Sequence, residues 1–435
     1  MQALLSFEQS PPISAPLRFF LTAPLFGMLA GALLLWGGPD LLASRWTPGA
    51  LALTHLITVG FMLQVMLGAL QQLLPVVAGA NMAQPLRVAT VVHATLGLGT
   101  LALEAAFLSY RPWLFGAAAL LLGTGVLVFI VSAGRSLIGV ASVHATVGGL
   151  KLALLGLGVT LTLGLVLAVA LAGSFNLPLV SLTTLHLGWG LLGWGGILVA
   201  AVGYVVVPMF QLTPPYPDWF TRHFARVTVG ILASWLAVEL VDWQTPSSLL
   251  AGVATLAGAG AAATTLAISR RSKRAKLDPT QQCWQLAMAS TLLASALWLA
   301  AQWIGPLGTW PGWPLLWGVL MLHGGFVSVM VGMLYKIVPF LVWLHLRNLG
   351  RGKVSAPNMK LVLAESAMRQ HLWLHGAALL LLLLAVVWPD WLSYLAAVAL
   401  LAAHALLLRN LLRALGVYRR HLAVIAASPE KKPQP

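Results

Sequence analysis

Three histidines recur at matched places in this 435-residue chain, each near the start of a long apolar segment. Pro48, Pro178 and Pro314 open these segments, and His55, His186 and His323 follow 7, 8 and 9 residues later. Each segment then runs to a second proline, at Pro75, Pro208 and Pro339. At about 1.5 Å of rise per residue, a helix would carry each imidazole roughly 10–14 Å inward. A neutral imidazole is costly to bury in apolar surroundings without a partner, and it is the usual axial ligand of haem iron. Three of them on one level would form an inward-facing ring, which points to a haem or metal site.

The elements that must carry these residues are set by composition. Hydrophobic residues make up 59% of the chain and charged residues only 8%, a balance that excludes an ordinary soluble domain. Apolar runs of about 20 residues suit a hydrocarbon core about 30 Å thick. The pattern predicts twelve spans, at 17–36, 48–74, 87–108, 112–133, 137–172, 179–207, 222–241, 247–269, 282–304, 314–345, 371–388 and 391–416. The fifth and tenth exceed one crossing and should tilt or project. The expected fold is an all-α integral membrane protein, one polytopic domain over 1–435 with a tail at 417–435. Leu17 to Trp36 is long enough to span, so no cleavable signal is expected. Tryptophans at span ends, such as Trp46, Trp113 and Trp391, fit interfacial belts. The single cysteine, Cys283, rules out an internal disulfide and a thiolate cluster.

The net charge of +15 reads as topology rather than as a nucleic-acid footprint. Of 25 Lys and Arg, 21 fall in alternate loops, at the chain ends or beside them, against Arg45 and Arg111 on the opposite side. The positive-inside rule then puts both termini in the cytoplasm of a bacterial-type inner membrane, and His55, His186 and His323 in its outer half. The expected partner is the lipid bilayer, not nucleic acid.

An internal repeat underlies the three histidines. Thr54-His55-Leu56, Leu185-His186-Leu187 and Leu322-His323-Gly324 each precede spaced glycines and the second proline. Units around 48–108, 179–241 and 314–388 are four helices apart, which implies three pseudo-threefold arcs about an axis normal to the membrane.

In topology the whole chain resembles subunit I of the haem–copper oxidases, the superfamily that includes nitric oxide reductases. In residues the resemblance rests on His55, His186 and His323. It implies that His55 and His323 clamp a low-spin haem b, and that His186 ligates copper or non-haem iron. It also implies a respiratory-chain setting, with an electron donor such as cytochrome c or quinol. The departures are specific. The seventh span reads Arg222-His223-Phe224 and lacks the family's His-His pair, and the tenth reads His323-Gly324-Gly325 and lacks a second histidine. Gly190 stands where the main oxidases have tyrosine. No binuclear reaction centre is therefore expected.

Other residues have weaker patterns. Glycines beside His186 and His323 would let a macrocycle approach the backbone, although membrane helices also use glycine for packing alone. His93 and His144 each begin His-Ala-Thr, while His371 and His375 stand at i and i+4, a spacing that can chelate a metal. They could hold a second haem, line a quinone pocket or relay protons, or simply snorkel at a headgroup boundary, which is the simpler expectation. His345, His404 and His421 give no pattern. Glu104 and Lys151 fall at similar nominal depths, which suggests an ion pair between the third and fifth helices, and Lys336 is expected to snorkel. Three functions follow: a haem-b redox protein passing electrons or handling nitric oxide or oxygen, a secondary transporter without cofactor, or a non-catalytic haem- or copper-binding scaffold or sensor. If it is an enzyme, the resemblance makes it an oxidoreductase.

Overall fold

The computed structural model describes residues 11–140, 145–173, 177–241, 244–350 and 354–427. Among them no strand occurs, and twelve helices are long and apolar enough to cross a membrane. They are α1 (Ser14–Leu42), α2 (Pro48–Ala78), α3 (Pro85–Ser109), α4 (Pro112–Leu137), α5 (Ala145–Leu171) and α6 (Leu179–Gln211). The second half comprises α7 (Asp218–Leu240), α8 (Pro246–Ser269), α9 (Pro279–Trp303), α10 (Trp313–Gly350), α11 (Glu365–Val387) and α12 (Pro389–Ala427). This is the build of a multi-pass membrane protein, and all twelve expected segments fall on these helices.

Local sequence sets most of the boundaries. Proline occupies the first turn of α2, α3, α4, α9 and α12, where its missing N–H breaks no helical bond. Thr47 caps α2 by accepting from Ala50 N at 3.1 Å. Asp278 caps α9 by accepting from Thr280 N and Gln281 N, both at 3.0 Å. Apolar side chains coat the outside as well as the core: Trp303, Trp391 and Trp36 near helix ends are 88%, 83% and 77% exposed, as lipid-facing anchors would be.

Consecutive helices pack as neighbours, and the chain closes on itself where α12 lies against α1 and α11. Further contacts join α10 to α12, α9 to α11 and α2 to α10. As a result α10 is the most enclosed helix, 83% buried over its most apolar stretch against 17% for α8.

The repeat has a structural counterpart. In each of α2, α6 and α10 the α-helix widens into an eight-residue π-helical segment, at Leu56–Leu63, Trp189–Gly196 and Leu320–Val327. Each segment ends 12 residues before the second proline: Leu63 to Pro75, Gly196 to Pro208, Val327 to Pro339. Such segments are rare and concentrate at functional sites.

Measured against these segments, the three histidines are not equivalent. His55 and His186 lie 20 and 22 residues before their prolines, but His323 lies only 16 before Pro339. Within the repeat, His323 sits about 6–9 Å further along its helix than the other two. Two helix lengths also differ from expectation. The fifth helix does not extend back to 137, since residues 138–140 are not helical, and the described part, Ala145–Leu171, fits a single crossing. α12 runs 39 residues to Ala427, so much of the expected tail is helix.

Candidate functional site

The histidines separate into two groups. The deeper one lies where α1, α2, α10, α11 and α12 meet. His323 of α10 is 4% exposed, His371 and His375 of α11 are 1% and 2%, and His404 of α12 is 2%. The His323 and His375 rings are 4.3 Å apart between centroids and inclined by 31°. His323 and His404 are 6.3 Å apart and inclined by 72°, and His371 stacks 6.0 Å from His375.

Small residues let these rings approach. A Cβ at Gly27 of α1 would collide with the His404 ring, and one at Gly324 would meet Ser290 of α9, so both helices close in because side chains are missing. Phe61 of α2 meets His404 edge-on at 5.0 Å.

Hydrogen bonding divides the four imidazoles. Ser328 Oγ donates to the His323 carbonyl at 3.2 Å, so His375 Nε2–H donates to Ser328 Oγ at 2.7 Å. His371 Nε2–H donates to the Ala403 carbonyl at 3.1 Å, and its ring lies edge-on to Tyr335, whose hydroxyl accepts from Asn410 Nδ2 at 3.0 Å. By contrast, both ring nitrogens of His323 and both of His404 are buried without a hydrogen-bond partner. A buried polar group left unpaired costs about 1–3 kcal/mol, so this concentration of unpaired nitrogens needs a reason.

The second group is His55 and His186. His55 Nδ1–H donates to the Leu51 carbonyl at 2.8 Å and its ring lies 5.1 Å from Phe107 of α3. His186 Nδ1–H donates to the Thr160 carbonyl of α5 at 3.0 Å, with Gly164 leaving room for the ring. The two lie within electrostatic reach of each other. An imidazole anchored through Nδ1–H to a carbonyl leaves Nε2 to accept a proton or take a metal. Among the described residues no ring contact or hydrogen bond joins His55 to His323, and His323 instead meets His375 and His404.

The remaining expected residues fall elsewhere. His93 pairs with the Thr22 hydroxyl at 2.8 Å and packs edge-on against Phe19, apart from both groups. His144 lies outside the described residues. His371 and His375 do not snorkel; they are core residues, because neighbouring helices supply an acceptor and a hydroxyl for their N–H groups. The Glu104–Lys151 pair does not form. With α5 starting at Ala145, Lys151 sits near one end of its helix and donates to the Val140 carbonyl at 2.9 Å, while Glu104 lies five residues from the opposite end of α3. Both carboxyl oxygens of Glu104 are buried without a hydrogen bond. Lys336 reaches Asp278 at the cap of α9 and pairs with it at 2.8 Å.

Sequence reasoning missed His404, Ser328, Gly27 and Asp278. For His404 a signal existed, since it is the one polar side chain between Tyr394 and Arg409 and stands about 22 Å into α12. Among the described residues no three His, Cys, Asp or Glu side chains converge to hold a metal ion. No protein-family model matches this chain, and no curated protein matches it. What the deeper group offers is four buried imidazoles, two of them with both ring nitrogens unpaired.

Proposed function

We propose that this chain is a haem-b-binding redox protein of the membrane, built on the plan of haem–copper oxidase subunit I and passing electrons within a respiratory chain. One observation carries the reading: His323 is enclosed in the π-helical segment of the most buried helix, with both ring nitrogens unpaired. The fit is chemical, since haem iron takes imidazole as an axial ligand and satisfies a ring nitrogen that otherwise stays orphaned. When bound, the haem would supply a one-electron couple.

The chain's own part is to hold and insulate. His323 would ligate iron, and the Ser328 hydroxyl would fix the adjacent ring of His375. Phe61 and the tight helix contacts at Gly27 and Gly324 would keep water out. The resemblance supplies His55 as the opposite ligand and copper or non-haem iron at His186, whose Nδ1–H bond to Thr160 suits a ligand ring. Three matched π segments in α2, α6 and α10 support three arcs of four helices. The alternate-loop basic residues support cytoplasmic termini in a bacterial-type inner membrane. The chain supplies no seventh-helix histidine pair and no tyrosine at position 190, so electron transfer suits it better than oxygen or nitric oxide reduction.

The test is an absorption spectrum of protein purified in detergent after expression with ample haem supply. Sharp reduced b-type bands are expected. A colourless protein would overturn the reading and favour the transporter, for which the unpaired buried Glu104 is the specific support.

A further inference from the structure

We propose that His404, rather than His55, is the second axial ligand of the haem, opposite His323. This rests on the haem reading above and changes which helices hold the group: α10 and α12 instead of α10 and α2.

Four observations converge on His404. It is 2% exposed, and neither ring nitrogen has a hydrogen bond, the same condition as His323. Its ring centroid is 6.3 Å from that of His323. Two imidazoles sharing one metal, with bonds of about 2.0–2.1 Å, put their centroids about 6 Å apart. The rings are inclined by 72°, so they are not stacked face to face. Finally, α1 carries glycine at position 27, where any side chain would run into the His404 ring, so the ring's position is built into the α1–α12 contact.

Each neighbouring histidine commits one ring nitrogen to a hydrogen bond, and none has its ring placed towards His323 as His404 does. His375 donates Nε2–H to Ser328, and its ring, inclined by 31° to that of His323, stands only 4.3 Å away, closer than two imidazoles on opposite sides of one metal would be. His371 donates Nε2–H to the Ala403 carbonyl and leaves Nδ1 unpaired, but its ring meets His375 and Tyr335 rather than His323. His55 is held to its own helix at Leu51 and packs on Phe107 of α3, whereas it is Phe61 that α2 turns towards His404. His55 therefore stands apart from the His323–His404 contact.

The experiment compares haem-loaded wild type with His323→Ala, His404→Ala and His55→Ala by reduced absorption spectra, electron paramagnetic resonance and carbon monoxide binding. His323→Ala and His404→Ala should lose the low-spin signature, the haem being lost or becoming high-spin and able to bind carbon monoxide, while His55→Ala keeps it. Imidazole added to His404→Gly should restore the low-spin spectrum, which a merely structural role would not produce. Should the small variants fail to fold, His404→Met keeps the volume filled. It should replace the bis-imidazole resonance by a histidine–methionine one with a more positive midpoint potential. Low-spin bis-imidazole haem surviving in His404→Ala or His404→Met would overturn the assignment, and its loss in His55→Ala would return the site to α2. A colourless wild type would overturn the haem reading itself, an outcome distinct from a coloured protein with the wrong ligand.

Discussion

Replacing Asp278 should loosen the joint that fixes α9 to α10, and the structure sets the size of the effect. Oδ1 accepts from Thr280 N and Gln281 N at 3.0 Å each and from the Thr280 hydroxyl at 2.5 Å, closing the first turn of α9. Oδ2 takes Lys336 Nζ of α10 at 2.8 Å and Arg274 at 3.3 Å. An N-cap lost to alanine costs about 1 kcal/mol. The Asp278 side chain is 14% exposed and that of Lys336 24%, between the surface case near zero and the buried case of about 3–5 kcal/mol. An ion-pair share of about 1–2 kcal/mol follows. Asp278→Ala should therefore cost about 2–3 kcal/mol, and Asp278→Asn, which keeps a capping oxygen, about 1–2.

SDS-driven unfolding in mixed micelles, followed by tryptophan fluorescence, measures both variants. Lys336→Met in the Asp278→Asn background should cost less than in wild type, because the pair is already broken. pH gives a second reading. Burial alone would raise the Asp278 pKa, but the bonds from Lys336 and Thr280, the Lys336 charge and the Gln281 N–H outweigh it and hold the carboxyl below its ordinary value. A carboxyl depressed in the folded state contributes stability above its unfolded pKa, about 3.9, and loses it as pH falls through the folded value. Wild type should thus lose more stability than Asp278→Asn on acidification below about pH 4. Equal stability of Asp278→Ala and wild type at pH 7 would refute the reasoning.

Gly27→Leu should destabilise by about 1–3 kcal/mol and displace His404, read as loss of low-spin haem, whereas Gly97→Ala, with open space at its Cβ, should be silent in the same spectrum. Gly156→Ala should lower the melting temperature, because its Cβ would collide with the Gly193 carbonyl, a backbone atom of the α6 π segment that cannot rotate away. Glu104→Leu should be neutral or stabilising by up to about 3 kcal/mol, since it removes an unpaired buried carboxyl. A loss above 1 kcal/mol in the same unfolding assay would reveal an unseen partner.

The twelve helices were legible because hydropathy, proline and charge act locally, and each local signal agrees with the global arrangement. What was lost at each stage is equally physical. The expected α5 reached back to 137 because apolar residues continue through the non-helical 138–140, so hydropathy marks no boundary there; the Glu104–Lys151 pair fell with it. The partner of Lys336 was not legible because Asp278 is 58 residues away in sequence. The repeat was visible in its prolines and glycines, but the π segments were not, since a wider helical turn leaves no compositional mark in Leu56–Leu63 or Leu320–Val327.

Reading the repeat as equal depth made His55, His186 and His323 look like one ring. Counting from the second prolines in α2, α6 and α10 separates them without coordinates: 20 and 22 residues against 16. Helix starts are a poor ruler because capping and loop geometry move them independently of the core. The prolines lie 12 residues beyond the π segments in all three helices, so they measure position relative to the part that packs. On that ruler His323 has left the level of His55, and its neighbours must come from elsewhere. The isolated polar side chain deep in α12 is His404. Gly27 is the complementary mark on α1, because a ring that large can sit against another helix only where that helix offers no side chain. The pairing of His323 with His404 thus rests on two features of the sequence that hydropathy alone treats as noise.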